Sequence, residues 1–440
     1  MLYHIATYGC QMNEYDSGVL ATMMESEGCV ATDDPSAADF ILVNTCSVRQ
    51  KAEDTALARI SKFKPFKRAN PNLKIVLAGC MAKNHGESLI QKMPLIDYVI
   101  GPDHYRKIPD ILFGNPVHAS RKNSAARTMV EFDSLEMYKD ASAKLASPFS
   151  TYVAIQRGCN KHCSYCIVPH VRGPEKYREE AGVLREVREA AERGVREITL
   201  LGQTVNAYRS GDTSFAKLLE QVSLVPGIER IRFTSPHPRH YTPELIDVLL
   251  GNPKVCAHAH IPLQSGSNVM LKKMRRQHQI DDFLRITEKL RGANPLYGLT
   301  TDIICGFVGE TESDFEQTLE VVREVQFDSA FMFIYSPREG TESAREPETL
   351  SEEEKKERHR RLVDLQNEIT LARNRMMIGN TECILVERPS TRNPEEWVGK
   401  TGNFKKVIFR PAGSVSPGAW ANIHIDDIRG WTLRGTPAEE

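Results

Sequence analysis

Over the first 115 or so residues, short apolar runs alternate with stretches of helical periodicity. The runs at 3–8, 40–44, 74–78 and 98–100 predict buried strands. Between the first two, Val19, Leu20, Met23 and Met24 recur at helical spacing, which predicts the inner face of a helix that Asn13 would cap. Strands and helices in alternation are the pattern of an open parallel α/β sheet. From Thr151 a second series begins, with strands expected at 152–156, 198–201, 231–234, 259–263, 301–305 and 331–335. Val183, Leu184, Val187, Ala190 and Ala191, then Phe315, Leu319, Val322 and Val325, trace apolar stripes of helices between them. Six such units fall short of the eight units and roughly 250 residues of a closed barrel, so a partial (β/α)6 barrel is expected.

Between the two series, residues 119–147 are polar and aperiodic and read as a linker. After the second, the charged run that opens with SEEEKKERHRR at Ser351 reads as a solvated helix face. The last 60 or so residues change character. Runs at 383–387, 405–409 and 420–425, separated by Gly and Pro turns, predict a small β-barrel. The chain is therefore mixed α/β, with units at 1–118, 148–376 and 377–440 around the 119–147 linker.

Charge narrows little, because 57 Lys plus Arg nearly cancel 58 Asp plus Glu, and any nucleic-acid surface must be local. No run of about 18 apolar residues and no secretory start is present, so a cytoplasmic chain without a membrane partner is expected. In a reducing compartment, grouped cysteines more often bind metal or do chemistry than form a disulfide scaffold.

Two groups stand out. Cys159, Cys163 and Cys166 form a C-x3-C-x2-C loop directly after the first strand of the second series. Three thiolates suit three irons of a cubane cluster, and no fourth cysteine follows to complete it, as one would in an electron-transfer ferredoxin. An open iron can chelate the amino and carboxylate groups of S-adenosylmethionine (SAM), so that an electron from the cluster releases a 5′-deoxyadenosyl radical. The competing reading is a zinc site completed by His162 or His170. The second group is dispersed: Cys10, Cys46 and Cys80 each follow a predicted strand, where loops of an open parallel sheet converge on one crevice. A second three-cysteine cluster is expected there. Cys29, Cys256, Cys305 and Cys383 share no spacing and receive no role.

These residues resemble one family, the radical-SAM methylthiotransferases, over nearly the whole chain. YGCQMNEYDSG, ILVNTCSVRQKAE, LAGCMAK, RGCNKHCSYCIVPHVRG, LLGQTVNAY, RFTSPHP, HIPLQSGS, TDIICGFVGET and FIYSPREGT look like its signatures in its order, and the β-rich end is similar to its RNA-binding TRAM domain. CQMN after Gly9, and RFTSPHP, resemble the branch acting on isopentenyl-modified adenosine of tRNA. The branches acting on threonylcarbamoyl-adenosine or on a ribosomal-protein aspartate usually differ there. Thr204 stands where Asn is expected, and Val308 where Pro is; neither is expected to touch a cluster cysteine.

The resemblance implies two [4Fe-4S] clusters. Cys159, Cys163 and Cys166 would hold the SAM-cleaving one, and Cys10, Cys46 and Cys80 an auxiliary one that carries the sulfur to be inserted at carbon 2 of the adenine. One SAM would supply the methyl group and a second the radical. At the carboxyl ends of the barrel strands, Gly202, Gln203, Asn206, His260, Gln264 and Ser336 are candidates to contact SAM. His258 and His260, two apart on a strand, read equally as satisfied interior histidines. Lys400, Lys405, Lys406 and Arg410, with Trp397 and Phe404, would meet RNA by holding phosphates and stacking bases. The implied partners are a tRNA anticodon stem-loop, whose unpaired bases can be splayed into a pocket, and a low-potential donor such as a flavodoxin or ferredoxin. The chain is expected to work as a monomer. A reading from another class is a non-enzymatic iron-sulfur sensor that binds RNA.

Overall fold

Continuous apolar runs become the strands of a parallel sheet because helices cover both faces. In the computed structural model, which describes residues 1–47, 50–114, 127–133, 137–138 and 142–438, the amino-terminal sheet has six strands. Their order is Val30–Ala31, Leu2–Tyr8, Phe40–Thr45, Lys74–Gly79, Tyr98–Ile100 and Thr128–Met129, all parallel. Every residue of Phe40–Thr45 is buried, as a central strand requires. The helix Gln11–Ser26 lays Val19, Leu20 and Met24 into the core and leaves Met23 half-buried. Its cap differs from the expectation. Cys10 occupies the N-cap and Asn13 sits one turn in, where its Oδ1 accepts from the Cys10 backbone N–H at 3.2 Å. The expected linker also does more than span: Thr128–Met129 adds the outer strand, and Tyr138 is almost wholly buried.

Six parallel strands follow: Ser150–Ala154, Glu197–Leu201, Arg230–Phe233, His258–His260, Gly298–Cys305 and Ser329–Ile334. They form two three-stranded sheets joined by a bridge between Ile231 and Val255. Among the described residues nothing pairs Ser150–Ala154 with Ser329–Ile334, so the barrel is open, as its length predicts. Val153, Ile198, Ile231, Ala259, Leu299 and Ile303 face outward into the core, against Val187, Leu219, Phe283, Leu290, Phe315 and Val322 of the surrounding helices. The charged helix Glu352–Arg375, capped by Ser351, is exposed on one side only. Leu362 and Ile369 join that core, while buried Lys355 and Arg358 pair with Glu348 and Glu310.

The chain ends in a closed five-stranded barrel in the order Thr381–Pro389, Trp397–Thr401, Lys406–Phe409, Thr432–Pro437 and Trp420–Arg429. Ile384, Val386, Val407, Phe409, Ile423, Ile425 and Leu433 fill it. The end of its strand Trp397–Thr401 is stitched to the central unit by arginines: Arg230 donates to the Lys400 carbonyl at 2.9 Å and Arg232 to the Thr401 carbonyl at 2.8 Å. No helix among the described residues is long and apolar enough to cross a membrane.

Candidate active site

Three strands of the amino-terminal sheet end side by side, and each delivers a cysteine. Cys10 follows Leu2–Tyr8 and starts a helix, Cys46 follows Phe40–Thr45, and Cys80 follows Lys74–Gly79 and starts another. The Cys46 N–H donates to the Tyr8 carbonyl at 2.9 Å, which sets the first two loops in register. Gly79 has φ +98°, and a Cβ there would stand 2.5 Å from the Thr45 carbonyl oxygen, so glycine is required for the third loop to come this close. Beneath the loops, Asn44 donates to the Asn13 carbonyl at 2.9 Å and accepts from the Asn13 amide at 3.1 Å.

The electrostatics treat Cys10 and Cys80 differently. A hydrogen bond from Cys46 draws the Cys10 thiol below its ordinary value against the pull of burial, and Arg172 adds to the effect. Burial pushes the Cys80 thiol up, while Arg172 works against it from 3.0 Å. Arg172 belongs to the other domain, on the short helix Val168–Arg172 that leaves the C-x3-C-x2-C loop. Ile167 and Val171 of that segment pack on Cys80.

The loop itself is held from both sides. Gly158, at φ +75°, would place a Cβ 2.0 Å from the Pro174 carbonyl oxygen, and its N–H donates to Gln203 Oε1 at 2.6 Å. Buried Gln156 accepts from the backbones of Gln203 and Thr204 at 2.7 and 3.0 Å and donates to the Gly158 carbonyl at 2.6 Å. Cys159 N–H donates to the Gly173 carbonyl at 3.0 Å, and Cys166 N–H to that of Cys163 at 3.0 Å. Arg276 reaches Cys163 Sγ at 3.6 Å. Burial first, and then the neighbouring Cys163, push the Cys166 thiol up to about 12; burial also raises Cys159. Thiols raised in this way ionise readily only against a strong local cation, which a bound cluster provides.

Among the described residues no three His, Cys, Asp or Glu side chains gather around one point as ligands of a single ion. By donor chemistry, thiol sets of this kind fit an iron-sulfur cluster, whose irons cysteine thiolates hold.

The SAM candidates fare differently. Gly202 lies against Gln156, where a Cβ would meet Oε1 at 2.6 Å, and Gln203 holds the cysteine loop. Asn206 is spent on the His237 backbone, donating to its carbonyl at 3.0 Å and accepting from its N–H at 2.8 Å. His260 bridges Thr300 at 3.1 Å and Asp302 at 3.2 Å on the next strand. Gln264, at φ +69°, lies four residues beyond the strand His258–His260 with its backbone bonded to Asp302 and Ile304, and Ser336 is exposed beyond the last strand. His258 is a satisfied interior residue, bonded to Thr300 at 2.9 Å and stacked on Phe404 at 4.8 Å.

Two expectations are corrected. Thr204 does touch a cysteine of the loop: its hydroxyl lies 3.3 Å from Cys159 Sγ. Lys405 does not face RNA, being buried against Asp328 and Asn374, both at 2.7 Å. Phe404 stacks on His258 and lies against Arg232 yet stays exposed, Lys400 pairs with Glu387 at 3.0 Å, and Arg410 pairs with Glu395 at 2.8 Å. Lys406 is exposed and Trp397 packs on the barrel core. Arg172, Arg276 and Gln156 escaped the sequence reading, although Arg172 lies within the quoted RGCNKHCSYCIVPHVRG stretch.

Three family models match in succession: uncharacterized protein family UPF0004 over residues 2–101, the Radical SAM superfamily over 153–322 and the TRAM domain over 375–438. Among solved structures, a radical SAM methyltransferase from Kitasatospora setae, with tryptophan substrate and a SAM analogue bound, superposes with a TM-score of 0.57. The identity is 14%, over 76% of this chain and 72% of that one. A cobalamin-dependent SAM radical enzyme, OxsB, gives 0.54 at 12% identity over 83% and 56%. Both likenesses are of fold. Curated tRNA-2-methylthio-N(6)-dimethylallyladenosine synthases are nearer. The one from Moorella thermoacetica is 40% identical over 98% of this chain and 97% of its own length, and that from Thermoanaerobacter pseudethanolicus 41% over 100% and 93%. With identity at this level sustained from end to end, the chain belongs to the tRNA-2-methylthio-N(6)-dimethylallyladenosine synthase family of radical SAM enzymes.

Proposed function

We propose that this chain is the transferase that places a methylthio group on carbon 2 of N6-isopentenyladenosine beside the tRNA anticodon. The observation that carries the reading is the contact between the two cysteine-bearing segments: Arg172, on the helix after the C-x3-C-x2-C loop, reaches Cys80, and Ile167 and Val171 pack on it. When bound, the two [4Fe-4S] clusters and SAM supply a primary carbon radical and a methylated sulfur, the tools needed for a ring carbon that bears no leaving group. Cys159, Cys163 and Cys166 would hold one cluster and Cys10, Cys46 and Cys80 the other.

The chain's own groups prepare these sites. Gln156 and Gln203 fix the cysteine loop at the carboxyl ends of the barrel strands, and Gly202, His260, Gln264 and Ser336 lie on the same rim as candidates for SAM. Asn206 acts there by holding the His237 loop in place. The terminal barrel, with exposed Lys406, would meet the tRNA. We assign the units to 1–118, 148–376 and 377–440, with 119–147 between them, and place the enzyme in the cytoplasm as a monomer served by a flavodoxin- or ferredoxin-like donor.

The test is an anaerobic reaction of reconstituted protein with SAM, reductant and isopentenyl-modified tRNA, followed by mass spectrometry of the nucleosides. A methylthio adduct of isopentenyladenosine is expected. Release of 5′-deoxyadenosine without that adduct would assign another substrate, and release of neither from protein holding both clusters would overturn the enzyme reading.

A further inference from the structure

Arg172 closes the helix Val168–Arg172, six residues beyond Cys166, yet its guanidinium is spent in the amino-terminal domain. Nε donates to Cys80 Sγ at 3.0 Å, Nη2 to Asp16 Oδ2 at 2.7 Å, and Nη1 reaches the Tyr138 hydroxyl at 3.5 Å, with 3% of the residue exposed. Asp16 is saturated in turn, accepting from Tyr138 on one oxygen and from Tyr105 at 3.3 Å on the oxygen that also takes Arg172. A guanidinium clamped in this way cannot swing. Its charge is paired with Asp16, and the ion pair leaves Nε–H unaccounted for, aimed at a sulfur. Asp16 rides the helix that Cys10 begins, so the network spans the supports of both cysteines and the segment leaving the other triplet.

We propose that Arg172 is a positioning residue of the auxiliary site: its Nε–H hydrogen-bonds the Cys80 sulfur of the bound cluster, raises that cluster's reduction potential and pins its Cys80 corner against the helix leaving the radical loop. The proposal rests on the reading of Cys10, Cys46 and Cys80 as ligands. A donor aimed at a ligand sulfur withdraws electron density and favours the more negative, reduced cluster, and hydrogen bonds to sulfur are among the levers that set such potentials. Asp16 offsets only part of the Arg172 charge, so charge and directed N–H act on the sulfur together, and a lysine cannot serve Asp16 and the sulfur with the same planar fork.

The test reads a potential rather than turnover. Full-length protein with Cys159, Cys163 and Cys166 changed to Ala would carry the auxiliary cluster alone, and an anaerobic redox titration followed by electron paramagnetic resonance gives its midpoint. In this background Arg172→Gln is expected to keep the iron and sulfide content of its parent. Its midpoint should be more negative by about a tenfold change in the reduced-to-oxidised ratio, about 59 mV for one electron. Arg172→Lys, which keeps the charge and the pairing with Asp16, guards against loss of folding and should shift in the same direction. Midpoints of both variants equal to the parent's would overturn the role of Arg172 alone. A parent that assembles no cluster would overturn the ligand reading beneath it.

Discussion

Lys405 of the terminal barrel stands 2.7 Å from Asp328, which immediately precedes the last strand of the central unit, and both are buried. Arg291 reaches the same carboxylate at 2.8 Å and the Leu299 N–H donates to it at 2.9 Å, so one aspartate ties the barrel to the catalytic unit. Burial pushes the Asp328 carboxyl up, but Lys405, Arg291 and Arg373 outweigh it and hold the group below its ordinary value. A folded value below the unfolded one adds stability at neutral pH, where the group is ionised in both states. That contribution falls away as pH drops from the ordinary carboxylate range through the folded value. Asp328→Asn is expected to cost about 3–5 kcal/mol, because it strands buried cations. All three tryptophans, Trp397, Trp420 and Trp431, lie in the barrel, so tryptophan fluorescence during urea or acid titration reads its loss directly. Equal midpoints for Asp328→Asn and the parent at neutral pH would remove Asp328 from this role.

Gly158 offers a sharper lesion. A side chain there requires φ +75° and a Cβ 2.0 Å from the Pro174 carbonyl oxygen. Left-handed backbone costs an ordinary residue roughly 1–2 kcal/mol, and the clash adds to it. Gly158→Ala should leave the terminal barrel folded while lowering iron on the Cys159 loop and cutting 5′-deoxyadenosine release at least about 100-fold, as misplaced active-site groups do. Iron retention and nucleoside release equal to wild type would show that the loop tolerates the change.

What the chain discloses before folding follows from whether a signal is local. Phe40–Thr45 and Lys74–Gly79 were legible to within one residue at their carboxyl ends, because strands buried on both faces are unbroken apolar runs. Cys10, Cys46 and Cys80 stood out because each follows such a run. Thr128–Met129, Trp397–Thr401 and Thr432–Pro437 carry little periodicity of their own, and neighbouring strands supply their pairing. Tyr138 sits in an aperiodic stretch, yet Asp16 and Arg172 select it for a buried network. Lys405 looked like an RNA contact because sequence shows a basic cluster and conceals Asp328, 77 residues away.

Thr204 is where the chain departs from the motif it otherwise follows, and its hydroxyl lies 3.3 Å from Cys159 Sγ. Thr204→Val keeps the shape and the backbone bond to Gln156 but removes a hydrogen bond of about 1 kcal/mol, so reductive SAM cleavage should fall roughly fivefold. Thr204→Asn restores a donor and should retain most of the activity. A valine variant as active as wild type would show that this hydroxyl leaves the cluster untouched.

The two triplets should be separable by function. Cys46 is buried between the Cys10 and Cys80 loops, remote in sequence from the C-x3-C-x2-C loop. Its loss removes one thiolate from the auxiliary set while Gln156, Gln203 and Gly158 keep the other loop in place. Cys46→Ala is therefore expected to abolish methylthiolation and still release 5′-deoxyadenosine from SAM. Cys163→Ala should abolish both, because cleavage depends on its loop. Mass spectrometry of tRNA nucleosides, with chromatography of 5′-deoxyadenosine from the same reaction, distinguishes the cases. Methylthiolated tRNA from the Cys46 variant would refute the auxiliary assignment, and nucleoside release by the Cys163 variant would refute the other. The asymmetry follows from the order of the chemistry: a radical can be made without a sulfur to deliver, whereas the sulfur cannot reach an unactivated ring carbon without the radical.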